Sequence, residues 1–179
     1  AVLSSNAEYL RYDYVIKNEN VEAVMPVKVT FNSGKAGSKL TWSLDSEGTL
    51  TISGTGAMPD YMYPAHENAS PWSADIGIKR IVIEEGVTSI GNYAFQGCTA
   101  LESVSLPDTL TKIGINAFEG CSSLSGVSIP KKVTSIGIAA FGTGGYVMDW
   151  INVVPENTAY TSINGVVFTK DKKTLVSYP

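Results

Sequence analysis

The sequence predicts a mostly β fold. The expected form is a short right-handed solenoid of 23-residue coils, with a parallel sheet on its concave face and a β-hairpin capping the N-terminal end. Three observations carry this prediction. The phrase "SIGNYAFQGC" at 89–98 returns as "KIGINAFEGC" at 112–121 and as "SIGIAAFGTG" at 135–144. A triplet of apolar residues, spaced by three and then by two, precedes each phrase. The 17 glycines and 8 prolines, set against 17% charged residues, favour turns and short strands.

Repetition at a fixed interval marks a stack of like units. An offset of 23 joins Val87, Leu110 and Val133, then Ile90, Ile113 and Ile136, then Gly91, Gly114 and Gly137. It also joins Ala94, Ala117 and Ala140, and Phe95, Phe118 and Phe141. The preceding triplets are Ile78, Ile81, Ile83; Leu101, Val104, Leu106; and Leu124, Val127, Ile129. A fourth coil with one inserted residue reads Met148, Ile151, Val153. The pattern L-x-x-L-x-L is the strand signature of a leucine-rich repeat. Its last two apolar positions are two apart, so both point to one face of a strand. Stacked coils then build a parallel sheet with that face buried.

The remaining positions follow from the same geometry. Pro107 and Pro130 cannot donate to a ladder and should end their strands. The V-T-x-I-G segment should run extended on the opposite side of the coil. Its glycine suits a sharp turn or a close backbone approach. The Ala-Phe pair puts one ring per coil into the middle. A single coil cannot bury its own apolar face, and three clear coils plus the variant fourth meet the minimum of about three.

The stretch "VTSIGNYAFQGCTALESVSLPDTLTKIGINAFEGC" resembles the BspA-like (Treponema pallidum type) leucine-rich repeats of bacterial surface proteins. The segment "WSLDSEGTLTISGTGAMPDY…SPW" at 42–72 is similar to one that precedes such repeats, and "NTAYTSINGVVFTKDKKTLVSYP" is similar to a variant coil with a hairpin. The resemblance thus covers about 38–179. It implies an extracellular or cell-surface protein, linked to adhesion and without enzymatic activity. It also implies that further repeats can follow a "YP" such as Tyr178-Pro179. The opening "AVLSSNAEYL" has neither a basic start nor an apolar run, so any export signal is expected to have been removed or never to have existed.

Three regions are expected: an N-terminal β segment at 1–37, a hairpin and loop cap at 38–77, and the solenoid with its variant coil and hairpin at 78–179. In the cap, Leu40, Trp42 and Leu44 alternate, "DSEG" turns, and Leu50 and Ile52 alternate back. This hairpin should pack on the first coil near Ile78 and Ile81. Met58 and Trp72 should cover the end of the core; Tyr61, Met62, Tyr63 and His66 offer a ligand site as the alternative. In 1–37, Leu10 to Ile16 and Val24 to Phe31 alternate around "NEN", which reads as a second hairpin, with a helix at 7–17 as the alternative.

Composition limits the partners. The net charge is -4 with no run of Lys or Arg, which argues against nucleic acid and anionic membranes. No stretch reaches the roughly 20 apolar residues of a membrane helix, so no membrane insertion is expected. The single histidine, His66, lies near Glu67 and Ser70, but nothing arranges them as a nucleophile relay. No cluster has zinc spacing, "DSEG" has too few acids for a calcium loop, and "GTGAM" and "GTGGY" lack the rest of a phosphate loop. No catalytic residue, metal or cofactor is expected. Cys98 and Cys121 hold the same place in adjacent coils. Parallel side chains keep their Cβ atoms about 4.8 Å apart, wider than the ~3.8 Å a disulfide prefers, so two buried thiols are expected.

The outward strand positions should be Arg80 and Val82, Ser103 and Ser105, Gly126 and Ser128, then Trp150 and Asn152. Arg80, Ser103, Ser105, Ser128, Trp150 and Asn152 are therefore the candidate ligand-binding residues. Arg80 and Trp150 are of the type that dominates binding energy. Trp150 beside Asn152 fits a stacked sugar or an anchored peptide; the alternative is that Trp150 folds against the loop containing Tyr146. The chain is expected to be a monomer, and three functions stay open: recognition of a protein, binding of a glycan, or a passive spacer in a longer surface protein.

Overall fold

A computed structural model describes residues 32–64, 66–73, 77–142 and 148–178. The expected hairpin around 18–20, its helical alternative and the Tyr146 contact lie outside the described residues. The described chain is built from strands and turns. Three antiparallel strands open it: β1 (Asn32–Lys35), β2 (Leu40–Leu44) and β3 (Thr49–Gly54). The short β4 (Gly56–Ala57) follows.

Each of the three regular coils then contributes one strand to each of two sides of the stack, and the variant coil contributes one to the first side. The first set comprises β5 (Arg80–Ile83), β7 (Ser103–Ser105), β9 (Gly126–Ile129) and β11 (Trp150–Val153). The second comprises β6 (Val87–Ile90), β8 (Lys112–Ile113) and β10 (Ser135–Ile136). Pairing is parallel, as coils wound the same way require. Arg80 pairs with Ser103, Ser89 with Lys112 and Lys112 with Ser135, so each residue meets its own counterpart in the next coil. Trp150 pairs with Gly126, and this register absorbs the inserted residue of the variant coil. β7 lies beside β9 without a hydrogen-bonded register between them. The strands stop at Ser105 and Ile129, ahead of Pro107 and Pro130.

The core lies between the two sheets. Ile81, Ile83, Val127, Ile129 and Ile151 point in from one side, and Val87, Ile90, Leu110, Ile113 and Val133 from the other. Phe95, Phe118 and Phe141 stack in one column, with ring centroids 5.2 and 5.8 Å apart. Beside each ring, Tyr93, Asn116 and Ala139 take the left-handed conformation at φ 56°, 53° and 52°. One backbone shape therefore recurs with three different side chains.

The N-terminal cap is itself a coil. β3 pairs in parallel with β5, placing Leu50 opposite Ile81 and Ile52 opposite Ile83, and β4 pairs in parallel with β6. Trp72 stacks on Phe95 at 5.6 Å and is 2% exposed, so it holds the ring position of a further coil. Its Nε1–H donates to Ala94 O at 2.8 Å. Thr49 precedes its partner Arg80 by more than one repeat, whereas Trp72 precedes Phe95 by one repeat. The surplus forms the loop Met62 to Ala69, pinched shut by a bridge between its two ends. The hairpin thus extends the sheet rather than lying across its end. Met58 is buried, and Tyr61 and Trp42 pack edge-on against Trp72 at 5.6 and 5.9 Å.

The other end closes with side chains. Inside the stack, Thr88 O accepts from Thr111 N–H, and Thr111 O accepts from Thr134 N–H. The second sheet ends at β10, and Thr134 O accepts instead from the Tyr160 hydroxyl at 3.2 Å. Asn157, 1% exposed, donates its amide hydrogens to Pro130 O at 2.8 Å and Val133 O at 2.9 Å. Its Oδ1 accepts from the backbone N–H of Ala159 and Tyr160. Every hydrogen-bonding site of this buried amide is filled, as burial demands. The antiparallel strands β12 (Tyr160–Ile163), β13 (Val166–Thr169) and β14 (Leu175–Ser177) follow.

Cys98 and Cys121 are 5% and 7% exposed, and no disulfide joins them. The Cys121 thiol donates to Phe95 O at 3.3 Å, and burial pushes its pKa far above the ordinary thiol range. The thiolate is the reactive form, so iodoacetamide should leave both thiols untouched in the folded chain. Both should react once the chain is denatured without reductant. A denatured, unreduced chain that takes no label would show a disulfide instead.

Candidate recognition face

Alternation along the first sheet decides what faces out. With Ile81, Ile83, Val127, Ile129, Ile151 and Val153 buried, the residues between them turn away from the core. The six residues predicted from sequence are all exposed: Arg80, Ser103, Ser105, Ser128, Trp150 and Asn152. The register gathers them into two groups. Arg80 pairs with Ser103, and Ser105 pairs with the half-buried Val82. Trp150 pairs with Gly126, and Asn152 with Ser128. The break between β7 and β9 separates the groups.

Arg80 is tied down locally. Its Nε and Nη2 donate to Thr49 Oγ1 at 3.4 and 3.3 Å. Thr49 and Thr51 pair with Arg80 and Val82 and extend the same face onto the hairpin. These two threonines were not among the sequence candidates. The signal for them was available, since Leu50 and Ile52 alternate inward and leave Thr49 and Thr51 outward. As an end cap the hairpin would leave them off the face; as a sheet strand it puts them on it.

Burial removes Tyr61 from the alternative aromatic site in the loop. Tyr61 is 8% exposed and belongs to the core around Trp72. Met62 and Tyr63 are exposed, and His66 sits edge-on to Tyr63 at 5.5 Å. The His66 Nδ1 accepts from Asn68 N–H at 3.2 Å, a local loop contact. Among the described residues, no three His, Cys, Asp or Glu side chains converge as metal ligands. No helix of the described residues is long and apolar enough to cross a membrane.

Two ladders of short parallel strands, an interior of one ring per coil and an outward face of Ser and Thr define a leucine-rich repeat protein. The chain belongs to the BspA type leucine rich repeat region family, whose model matches six copies over residues 72–176. It is similar to a leucine-rich repeat protein from Eubacterium ventriosum, at 28% identity and a TM-score of 0.55, over 82% of this chain and 50% of that one. It is also similar to the pneumococcal vaccine antigen PcpA, at 15% identity and a TM-score of 0.50, over 81% of this chain and 56% of that one. The second likeness shows the fold alone. The chain spans about half the length of these two structures. A comparison with curated proteins gives no match.

Proposed function

We propose that the chain is a non-enzymatic recognition module, extracellular or on the cell surface, that acts as a monomer and binds a protein partner through the outward face of its first sheet. One observation carries this reading: a register-locked, solvent-facing surface runs from Thr49 and Thr51 across Arg80, Ser103 and Ser105. Its side chains are mostly short hydroxyls. They lose little rotamer entropy when a partner docks, and they let it approach the strands closely. Arg80 supplies the large polar anchor that small side chains lack. A passive spacer needs no such surface. Family membership supports the location outside the cell.

The test is binding to an array of purified extracellular proteins. The triple variant Thr51→Lys, Ser103→Lys, Ser105→Lys places long charges on the face. Ser122→Lys, Ser123→Lys, Ser135→Lys places the same charge on exposed positions elsewhere. Proteins bound by the wild type should be lost by the first triple and kept by the second. Equal binding by both triples, or no protein bound by the wild type, rejects the reading.

A further inference from the structure

Trp150 stands on the outward side of β11, 45% exposed, with Gly126 of β9 as its register partner. A Cβ added at Gly126 would lie 2.2 Å from Cε2, 2.5 Å from Cδ2 and 2.7 Å from Cζ2 of the indole. The ring therefore occupies the space that a side chain on β9 would fill, and it lies against that strand's backbone. A second glycine adjoins the backbone of Trp150: a Cβ at Gly165 would meet Trp150 Cα at 3.2 Å, and Gly165 O accepts from Ile151 N–H. Gly126 thus makes room for a large aromatic side chain that stays 45% exposed.

Polar groups stand next to it. Further along the same face, Asn152 pairs with Ser128. Asn152 Oδ1 accepts from Ser162 Oγ at 3.3 Å, and that oxygen accepts in turn from Val153 N–H at 2.9 Å. This chain of bonds orients the amide, so that its Nδ2–H₂ group is the part turned to incoming acceptors. Ser128 is exposed and offers a hydroxyl that donates or accepts. The face positions beside the ring, Gly126, Ser128 and Asn152, carry no charge.

We infer that this end of the face is a subsite for a neutral sugar with an all-equatorial ring, a β-linked glucose or N-acetylglucosamine unit. Such a ring presents a flat face of axial C–H bonds, which packs on an indole. Its hydroxyls project in the ring plane, where the Asn152 amide and the Ser128 hydroxyl meet them. The half-exposed indole is a flat apolar face with neutral hydrogen-bonding groups beside it, which a sugar ring matches over its whole area. An ionic ligand finds no counter-charge among these face positions. The subsite goes beyond the protein-recognition reading and shares none of the residues that carry it.

The experiment uses the exposure of the three tryptophans. Trp42 and Trp72 are 5% and 2% exposed, so acrylamide quenching of the native chain reports Trp150. Cellotetraose and chitotetraose are the probes. At least one should protect Trp150 from quenching, saturably, with a dissociation constant in the millimolar range that suits one stacked ring. Calorimetry should show that binding is lost in Trp150→Ala and weakened about tenfold in Asn152→Leu, the equivalent of one hydrogen bond. Gly126→Val keeps the indole but displaces it, and should also abolish binding while the urea midpoint stays within the range of Trp150→Ala. The Thr51, Ser103, Ser105 triple should bind the sugar normally, which separates this subsite from the protein face. Absence of protection by both sugars overturns the inference, and so does undiminished binding by Trp150→Ala or Gly126→Val.

Discussion

Phe118→Ala should destabilise the chain by about 4 kcal/mol, in the middle of the range for a buried aromatic. Phe118 is 1% exposed and is stacked on both sides, at 5.2 Å on Phe95 and 5.8 Å on Phe141. Its truncation removes the apolar burial and two ring contacts together. Collapse cannot refill the space cheaply, because backbone bonds fix the distance between coils. Phe95 N–H donates to Ala117 O at 2.9 Å, and Phe118 N–H donates to Ala140 O at 2.7 Å. Phe141 is 9% exposed and has one ring neighbour among the described residues, so Phe141→Ala should cost about 1 kcal/mol less. Phe118→Leu should keep most of the volume and lose about half as much as the alanine variant. Urea denaturation of the full chain, with midpoint and slope fitted together, measures all three. If Phe141→Ala were the costlier of the two alanine variants, the column would not be the shared interior of the stack.

The periodic part of this fold was legible in the sequence because each coil repeats the same physical problem. A ring in the middle, apolar positions two apart and a glycine at one corner recur without change of spacing. The N-terminal coil was not legible, for a definite reason. Its strand β3 precedes β5 by a full repeat plus the loop Met62 to Ala69, while its ring keeps the repeat spacing and is a tryptophan. The inserted loop hides the period, and the change of residue hides the ring. The serines, the arginine and the tryptophan of the face followed from alternation alone. What Trp150 rests on did not, because Gly126 meets it through a register shifted by the inserted residue. Asn157 was missed as well. In sequence an Asn after Pro155 reads as a turn residue, and nothing local shows that Pro130 and Val133 present carbonyls to it.

Gly114→Ala adds one methyl group and should nonetheless cost about 3 kcal/mol, at the top of the usual range for overpacking. The glycine adjoins the neighbouring coil so closely that a Cβ would lie 2.5 Å from Asn92 N and Gly91 C, and 2.6 Å from Gly91 O. All three atoms are backbone, so no side chain can rotate away. The two coils must part, and parting them strains the second sheet, where Ser89 pairs with Lys112 and Ile90 with Ile113. It also strains the bond from Ile115 N–H to Asn92 Oδ1 at 2.8 Å. The φ of Gly114 is not in the left-handed region, so close approach is the reason for glycine, and a turn is not. Gly137 meets the preceding coil at similar distances, from 2.5 to 2.8 Å, but it lies beside β10, the edge of its sheet. An edge strand can give way outward, so Gly137→Ala should cost clearly less than Gly114→Ala. Thermal and urea unfolding of the two variants give the comparison. Equal costs would mean that the edge coil is held as firmly as the inner one, and a neutral Gly114→Ala would mean that the coils are spaced more widely than one methyl group.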